Sequence, residues 1–281
     1  MKLILAVFIT LVFFALNSLL VKAALLNNYA DPYTFTFLRI FFGALALLFL
    51  IYFKNRKIQI SLKNNYISSV MLFLYTIFFS YAYISLDAGV GALILFAFVQ
   101  LTIILYSLVK KEKLSTLKLI GILISFLGLV YLLYPNDNFA ISSFHFFLMS
   151  LSGIAWGVYT ILGKKSENPI LNTSDNFIKA SLIALLCFFI FLPKTSISLE
   201  GIALAFISGA ITSALGYALW YKILPQLQTI ISGVIQLLVP PIAIFLGVIF
   251  LDELLSTKLI ISTIIILLGI MLCIMSKNKT I

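Results

Sequence analysis

Charge is what this sequence has least of. Asp, Glu, Lys and Arg make up 10% of its 281 residues, against roughly a quarter in soluble globular proteins. Beside 63% hydrophobic residues, that shortfall excludes a soluble globule. Histidine occurs once and cysteine twice, so no cluster with metal-ligand spacing is available. Cys187 and Cys273 lie in separate apolar runs, toward opposite sides of the membrane in the topology below. A disulfide needs Cα atoms within about 7 Å, so two small buried hydrophobes are expected instead. No G-x-x-x-x-G-K-[ST] run occurs, which removes the phosphate cradle of an ATP-driven machine. None of the nine acidic residues sits in the middle of an apolar run. An embedded enzyme needs a nucleophile, base or metal cluster at depth, and none is offered. No enzymatic activity, cofactor or metal is expected.

What is present is apolar sequence in runs of about 18 residues or more, each long enough to cross a bilayer as a helix. Ten spans can be drawn: Leu3–Leu26, Tyr33–Phe53, Tyr66–Leu86, Gly89–Val109, Leu117–Tyr134, Phe144–Gly163, Phe177–Leu192, Ile202–Tyr221, Leu227–Leu251 and Leu259–Met275. The expected fold class is an all-α membrane protein of ten transmembrane helices. The third and fourth spans are divided only by Asp87 and Ala88 in one register of the hydropathy, so merging them gives nine. The opening M-K-L-I-L-A-V-F-I-T imitates a signal peptide, but its apolar stretch continues to Leu26, longer than a signal core. It is read as the first helix.

The net charge of +10 does not point to nucleic acid, because the basic residues occupy short loops, where they report orientation. With the N-terminus inside, 15 of the 19 basic residues fall on the inner side, including Lys54, Arg56, Lys57, Lys110, Lys111, Lys164 and Lys165. Asp31, Asp87, Asp137, Glu200, Asp252 and Glu253 fall outside. Both termini are therefore expected in the cytoplasm. The Lys-, Ile- and Asn-heavy usage suggests a bacterial gene and hence the inner (plasma) membrane.

The chain also repeats itself. Phe14 to Lys22 lies over Trp156 to Lys164 at an offset of 142, and Glu112 to Thr116 lies over Glu253 to Thr257 at an offset of 141. Two copies are expected, 1–138 and 139–281, each with five spans. Five is odd, so the second copy threads the membrane upside down; basic K-K-E-K at 110–113 matches acidic L-D-E-L at 251–254. Inverted repeats place a substrate site at their interface near mid-bilayer.

The ninth span is broken. Pro240 and Pro241 remove backbone donors, leaving the carbonyls of Gln236 and Leu237 without helical partners at a depth where loose carbonyls must face protein or water. Thr229, Ser232, Gly233, Gln236 and Pro240 fall on one helical face. The two prolines are expected to act as a kink or gate.

With F-F-A-L-N-S-L-L-V-K, Asp31-Pro32, F-L-R-I-F-F-G-A-L-A-L-L and V-P-P-I-A-I-F-L-G-V-I-F-L-D-E-L-L-S-T in order, the chain resembles the drug/metabolite transporter superfamily, EamA type, over its whole length. The Trp-Gly pair common in that family's first span is Phe14-Ala15 here, while Trp156-Gly157 keeps it in the second half. The resemblance implies ten helices and a central cavity lined mainly by spans 1, 3, 4, 6, 8 and 9. It also implies transport of small organic solutes, often export of amino acids.

Candidate solute-binding residues are Asn17, Tyr75, Gln100, Trp156, Tyr159, Gln236 and Tyr217. Asn17 and Tyr159 are repeat-related, and Ser152, Trp156 and Tyr159 form one stripe, in which Trp156 stacks on the solute. The plainer reading is that Asn17 bonds a neighbouring helix and Trp156 fills the core. An amide costs several kcal/mol in hydrocarbon if unpaired, so Gln100 and Gln236 must face protein or water, as interhelical links or cavity groups. Gly153, Gly157 and Thr160 form a close-packing stripe. Tyr81 and Tyr83 are read as outer-belt aromatics, and Trp220 and Tyr221 as inner-belt ones. Lys22 and Arg39 lie within spans; they form either an anion vestibule or a pair that snorkels outward, with Arg39 on Asp31 or Asp87. His145 is read as interfacial.

Four readings result. The leading one is a secondary transporter, with export favoured, working by alternating access, without an embedded carboxylate relay and driven by the solute's own gradient or by exchange. An uptake permease or exchanger is the alternative; a membrane-embedded enzyme and a non-transporting scaffold follow. The expected partners are a small-molecule solute and membrane lipid, not nucleic acid, with the chain a monomer or homodimer.

Overall fold

The computed structural model describes residues 2–55, 66–110, 115–134, 142–164, 166, 168–191 and 194–275. Among them every regular element is helical: α1 (Lys2–Leu26), α2 (Pro32–Asn55), α3 (Tyr66–Ala82), α4 (Ala88–Val109), α5 (Thr116–Leu133), α6 (Ser143–Gly163), α7 (Pro169–Phe191), α8 (Leu199–Phe206), a π-helical stretch (Ile207–Leu215), α9 (Gly216–Ile223), a 3₁₀ turn (Leu224–Gln226), α10 (Thr229–Gln236), α11 (Val239–Leu251) and α12 (Thr257–Met275). Seven helical segments are long and apolar enough to cross a membrane, and three shorter apolar helices accompany them. Phe8, Phe49, Leu123, Phe189 and Phe245 stand exposed, as lipid-facing positions do. This is an integral membrane protein.

The helices begin where short polar side chains satisfy free N–H groups. Asp31 Oδ1 accepts from Tyr33 and Thr34 N–H at 2.9 Å each, with Pro32 in the first helical position. Ser115 accepts from Lys118 N–H, and Ser198 from Gly201 N–H. Asn168 accepts from Leu171 N–H, and Pro169 follows it. That cap moves the start of α7 eight residues ahead of the Phe177 expected from hydropathy, so Asp175 and Asn176 are wound into the helix that also holds Lys179. All three are buried. This bears on the expectation of no embedded carboxylate: Asp175 is 4% exposed, inside a segment of membrane-spanning length. Hydropathy misses it because the first turns of α7, N-T-S-D-N, are polar.

The ninth expected span divides as its sequence requires. α10 stops at Gln236; Leu237 and Leu238 N–H bond three residues back, to Val234 and Ile235; and α11 starts at Val239. Pro240 and Pro241 thereby fall in the first turn of α11, where a helical N–H has no partner to lose. The break is one tight turn.

α5 and α12 pair with each other, with Ser125 Oγ donating to the Ile266 carbonyl. α6 packs on α3 and α4; α2 packs on the π-helical stretch and α7; α1 packs on α9, α11 and the π-helical stretch. Two close approaches depend on glycine. A Cβ at Gly209 would stand 2.3 Å from the Arg39 carbonyl oxygen, and one at Gly153 would stand 2.4 Å from that of Leu95. At one end, Asp31 N–H bonds the Ser196 carbonyl, Ser196 N–H bonds Asp31 Oδ2 and Ser198 N–H bonds the Tyr29 carbonyl. That seam includes the bridge between Ala30 and Ile197.

Candidate functional site

The polar groups that the sequence spreads over five segments meet where α1, α3, α6, α9 and α10 converge. Trp156 is the hub. Its ring centroid lies 5.4 Å from Phe14, 4.9 Å from Tyr75, 5.5 Å from Tyr159 and 4.8 Å from Tyr217. Phe177 and Trp220 extend the group through Tyr217 and Phe14, and Tyr221 through Tyr159. The indole N–H of Trp156 donates to Gln236 Oε1 at 2.7 Å, and the Gln236 amide donates to the Ser232 carbonyl at 2.9 Å. All these side chains are buried, so the centre is closed over its own aromatic rings.

On the other flank, Asn17 Oδ1 accepts from three hydroxyls: Thr212 at 2.6 Å, Ser208 at 2.9 Å and Ser213 at 3.1 Å. All three donors come from the π-helical stretch. In a ladder of i→i+5 bonds, residues five apart stack as residues four apart do in an α-helix, which brings Ser208 and Ser213 to the same amide. Asn17 Nδ2 is buried without a partner. Ser213 in turn accepts from Arg39 Nε at 3.0 Å, while Arg39 Nη2 donates to the Tyr75 and Tyr217 hydroxyls at 3.0 Å each. The Tyr217 hydroxyl donates to that of Tyr75 at 3.1 Å. The guanidinium also lies 5.2 Å from the Phe79 ring centre and 5.5 Å from that of Tyr75.

The structure thus joins Asn17, Tyr75, Trp156, Tyr159, Tyr217 and Gln236 in one buried cluster, and adds Arg39. Gln100 stands apart: its Oε1 lies over Gly233 without a hydrogen-bond partner, in a cleft with Leu93, Ile122, Ser125 and Ile266. Lys22 is also separate, and its charge acts on Glu253.

Several expectations need correction. Arg39 does not snorkel; it is 1% exposed, and Asp31 is engaged in capping α2. Trp220, Tyr221 and Tyr83 are buried rather than belt residues; the first two lie on α9 and Tyr83 in the turn after α3. Ser208 and Thr212 were missed because α-helical periodicity does not place them with Ser213. Phe14 and Tyr217 carried a usable signal. Each stands 142 residues from a partner, Trp156 and Tyr75, that it touches.

At the end carrying Asp87, Glu253 reaches from the connection after α11 to the start of α4. Its carboxylate accepts from Ala88 N–H at 2.6 Å and Gly89 N–H at 3.4 Å. A cavity of about 250 Å³ beside it is lined by Asp87, Val90, Ile244, Val248, Glu253 and Leu259, among others. Burial raises the Glu253 carboxyl above its ordinary value; the Asp87 charge adds to that, and Lys22 and the α4 N–H groups oppose it.

The EamA-like transporter family model matches residues 1–134 and again 143–275. An uncharacterized protein of Pseudomonas aeruginosa is 40% identical over 259 residues, 92% of this chain and 90% of that protein. An uncharacterized transporter of Archaeoglobus fulgidus is 27% identical over 70% of this chain and 71% of its own length, and the uncharacterized transporter YoaV of Bacillus subtilis is 21% identical over 85% and 86%. A crystal structure at 16% identity superposes with a TM-score of 0.74 over 97% of both chains, which shows the shared fold. Matched by the family model in both parts of its length, the chain belongs to the EamA-like transporter family and is a membrane transporter.

Proposed function

We propose that the protein is a secondary transporter, working as an exporter, of small organic metabolites such as amino acids. Ten membrane crossings, arranged as inverted halves 1–138 and 139–281 in a bacterial inner membrane with both termini cytoplasmic, carry it. Alternating access occurs where the halves meet, around Asn17, Tyr75, Trp156, Tyr159, Tyr217 and Gln236. One observation carries this reading. Amide, indole and phenol groups drawn from both halves gather at the middle of a membrane bundle, around rings that can part to take an apolar body. Polar groups at that depth are costly unless they serve a solute or each other. The burial of Asp175 removes the premise for a carrier without an embedded carboxylate, so coupling to a proton or cation enters the tests.

The experiment is counterflow with a panel of radiolabelled metabolites in proteoliposomes. The wild type should exchange at least one solute, and the Asn17→Ala, Trp156→Ala double variant should lose that exchange while remaining monodisperse in detergent. Unchanged exchange in the double variant refutes the assignment of the site, and no exchange of any panel solute refutes the transporter reading. Asp175→Asn should leave exchange intact and lower accumulation driven by a pH gradient.

A further inference from the structure

Among the described residues no opposite charge meets that of Arg39. Arginine stays protonated under all ordinary conditions and presents five N–H donors. Three of its donor directions are used: Nε on Ser213, and Nη2 on both Tyr75 and Tyr217. Nη1 is buried with no hydrogen-bond partner. Every acceptor Arg39 has among the described residues is a neutral hydroxyl, and the rings of Phe79 and Tyr75 add only the pull of their π faces. Dipoles and rings soften the cost of holding a charge in hydrocarbon but do not neutralise it.

Two neutral N–H donors in the same aromatic cluster also lack acceptors. Asn17 Nδ2, bonded through its own oxygen to the Ser213 that also receives Arg39 Nε, is an unsatisfied donor, and so is Trp220 Nε1, whose ring lies on Phe14. The amide assignment of Asn17 follows from three hydroxyls converging on one of its atoms. Three buried donors without acceptors, one of them cationic, thus belong to one aromatic cluster. The group that completes them accepts only and carries negative charge.

We propose that Arg39 binds the carboxylate of the transported solute, a monoanionic group carried on an apolar body, with Asn17 and Trp220 as its neutral donors. This rests on the transporter reading above and names the chemistry of its solute. A single charge suits a carboxylate rather than a phosphate dianion, because Lys22 lies with Glu253 at the end of the bundle. The rings of Phe14, Tyr75, Trp156 and Tyr217 take the apolar part. In the closed structure the Tyr75 and Tyr217 hydroxyls hold the place of that ligand, and the carboxylate displaces one of them.

The test is counterflow of tritiated leucine, phenylalanine and 3-phenylpropionate in proteoliposomes, each challenged with the unlabelled acid, its carboxamide and its methyl ester. At least one acid should exchange, with the amide and ester competing on the order of 30-fold more weakly, the loss expected when one partner of a buried charge pair is removed. Arg39→Gln should cut exchange of the acid by a similar factor, and Arg39→Lys, which keeps the charge but not the fork, should fall between. Equal competition by acid and amide in the wild type overturns the proposal and needs no variant to fold. So does undiminished exchange in Arg39→Gln. Exchange of amines, sugars or nucleosides but of none of the acids overturns it while leaving the transporter reading standing. If nothing is exchanged, both fall.

Discussion

Asn17 gathers three hydroxyls on one oxygen, so its loss is felt on two helices at once. Asn17→Leu leaves Ser208 and Ser213 to find other acceptors, while Thr212 keeps the Ser208 carbonyl, at about 1–3 kcal/mol for each buried group left unsatisfied. The expected result is a lower apparent melting temperature in detergent. Adding Ser213→Ala to Asn17→Leu should then cost less than Ser213→Ala alone, since the two share one bond. Much of this residue-level picture could be read from the sequence. Asn17, Trp156 and Gln236 stand out as polar or amphipathic groups at the centre of apolar runs, and the 142-residue offset links Tyr75 to Tyr217. Arg39 was visible only as a charge within a span. Beside it Gly209, 170 positions away in sequence (209 less 39), lets the π-helical stretch sit against the α2 backbone.

Helix boundaries were legible wherever apolar sequence stops at a cap, and they failed where it does not. α7 begins in a polar stretch because Asn168 and Pro169 start it, and a hydropathy window has no term for a cap. The π-helical stretch leaves no mark on periodicity over nine residues. Its contact with α2 is sterically tight: Gly209→Val places side-chain atoms where the Arg39 carbonyl oxygen already stands. Overpacking of this kind costs about 1–3 kcal/mol, and it should separate Ser213 from Arg39. Reduced solute affinity together with reduced thermal stability is the expected pair of readouts. The prolines behave otherwise. Replacing Pro240 and Pro241 with alanine restores two donors and lets α10 run into α11, which turns Gln236 away from Trp156. Exchange should fall sharply with little loss of stability, and a quench of the altered Trp156 environment by fluorescence reports the turn directly.

The whole molecule is held at one end by two contacts of different strength. Glu253 seats its carboxylate on the start of α4, and burial there raises its pKa above the ordinary value near 4.5. When this contact opens, the carboxyl returns to water and to that ordinary value. Closing therefore takes up protons: the closed contact strengthens as pH falls through the raised value toward the ordinary one and weakens as pH rises. A cysteine at Val90, on the wall of the adjoining cavity, should be labelled more slowly at the lower pH, and Glu253→Gln should abolish the dependence. The other contact, between the Tyr29–Asp31 and Ser196–Ser198 strips, is built from two backbone bonds and one from Ser196 N–H to the Asp31 carboxylate. On the proposed alternating-access reading a rocking body needs one point that stays still, and this strip, tied by bonds in both directions, is assigned as that fulcrum. Tethering Ala30 to Ile197 with a short crosslinker should leave turnover near normal, while the same tether between Gly89 and Glu253 should freeze it, since only the second spans a distance that grows during the stroke.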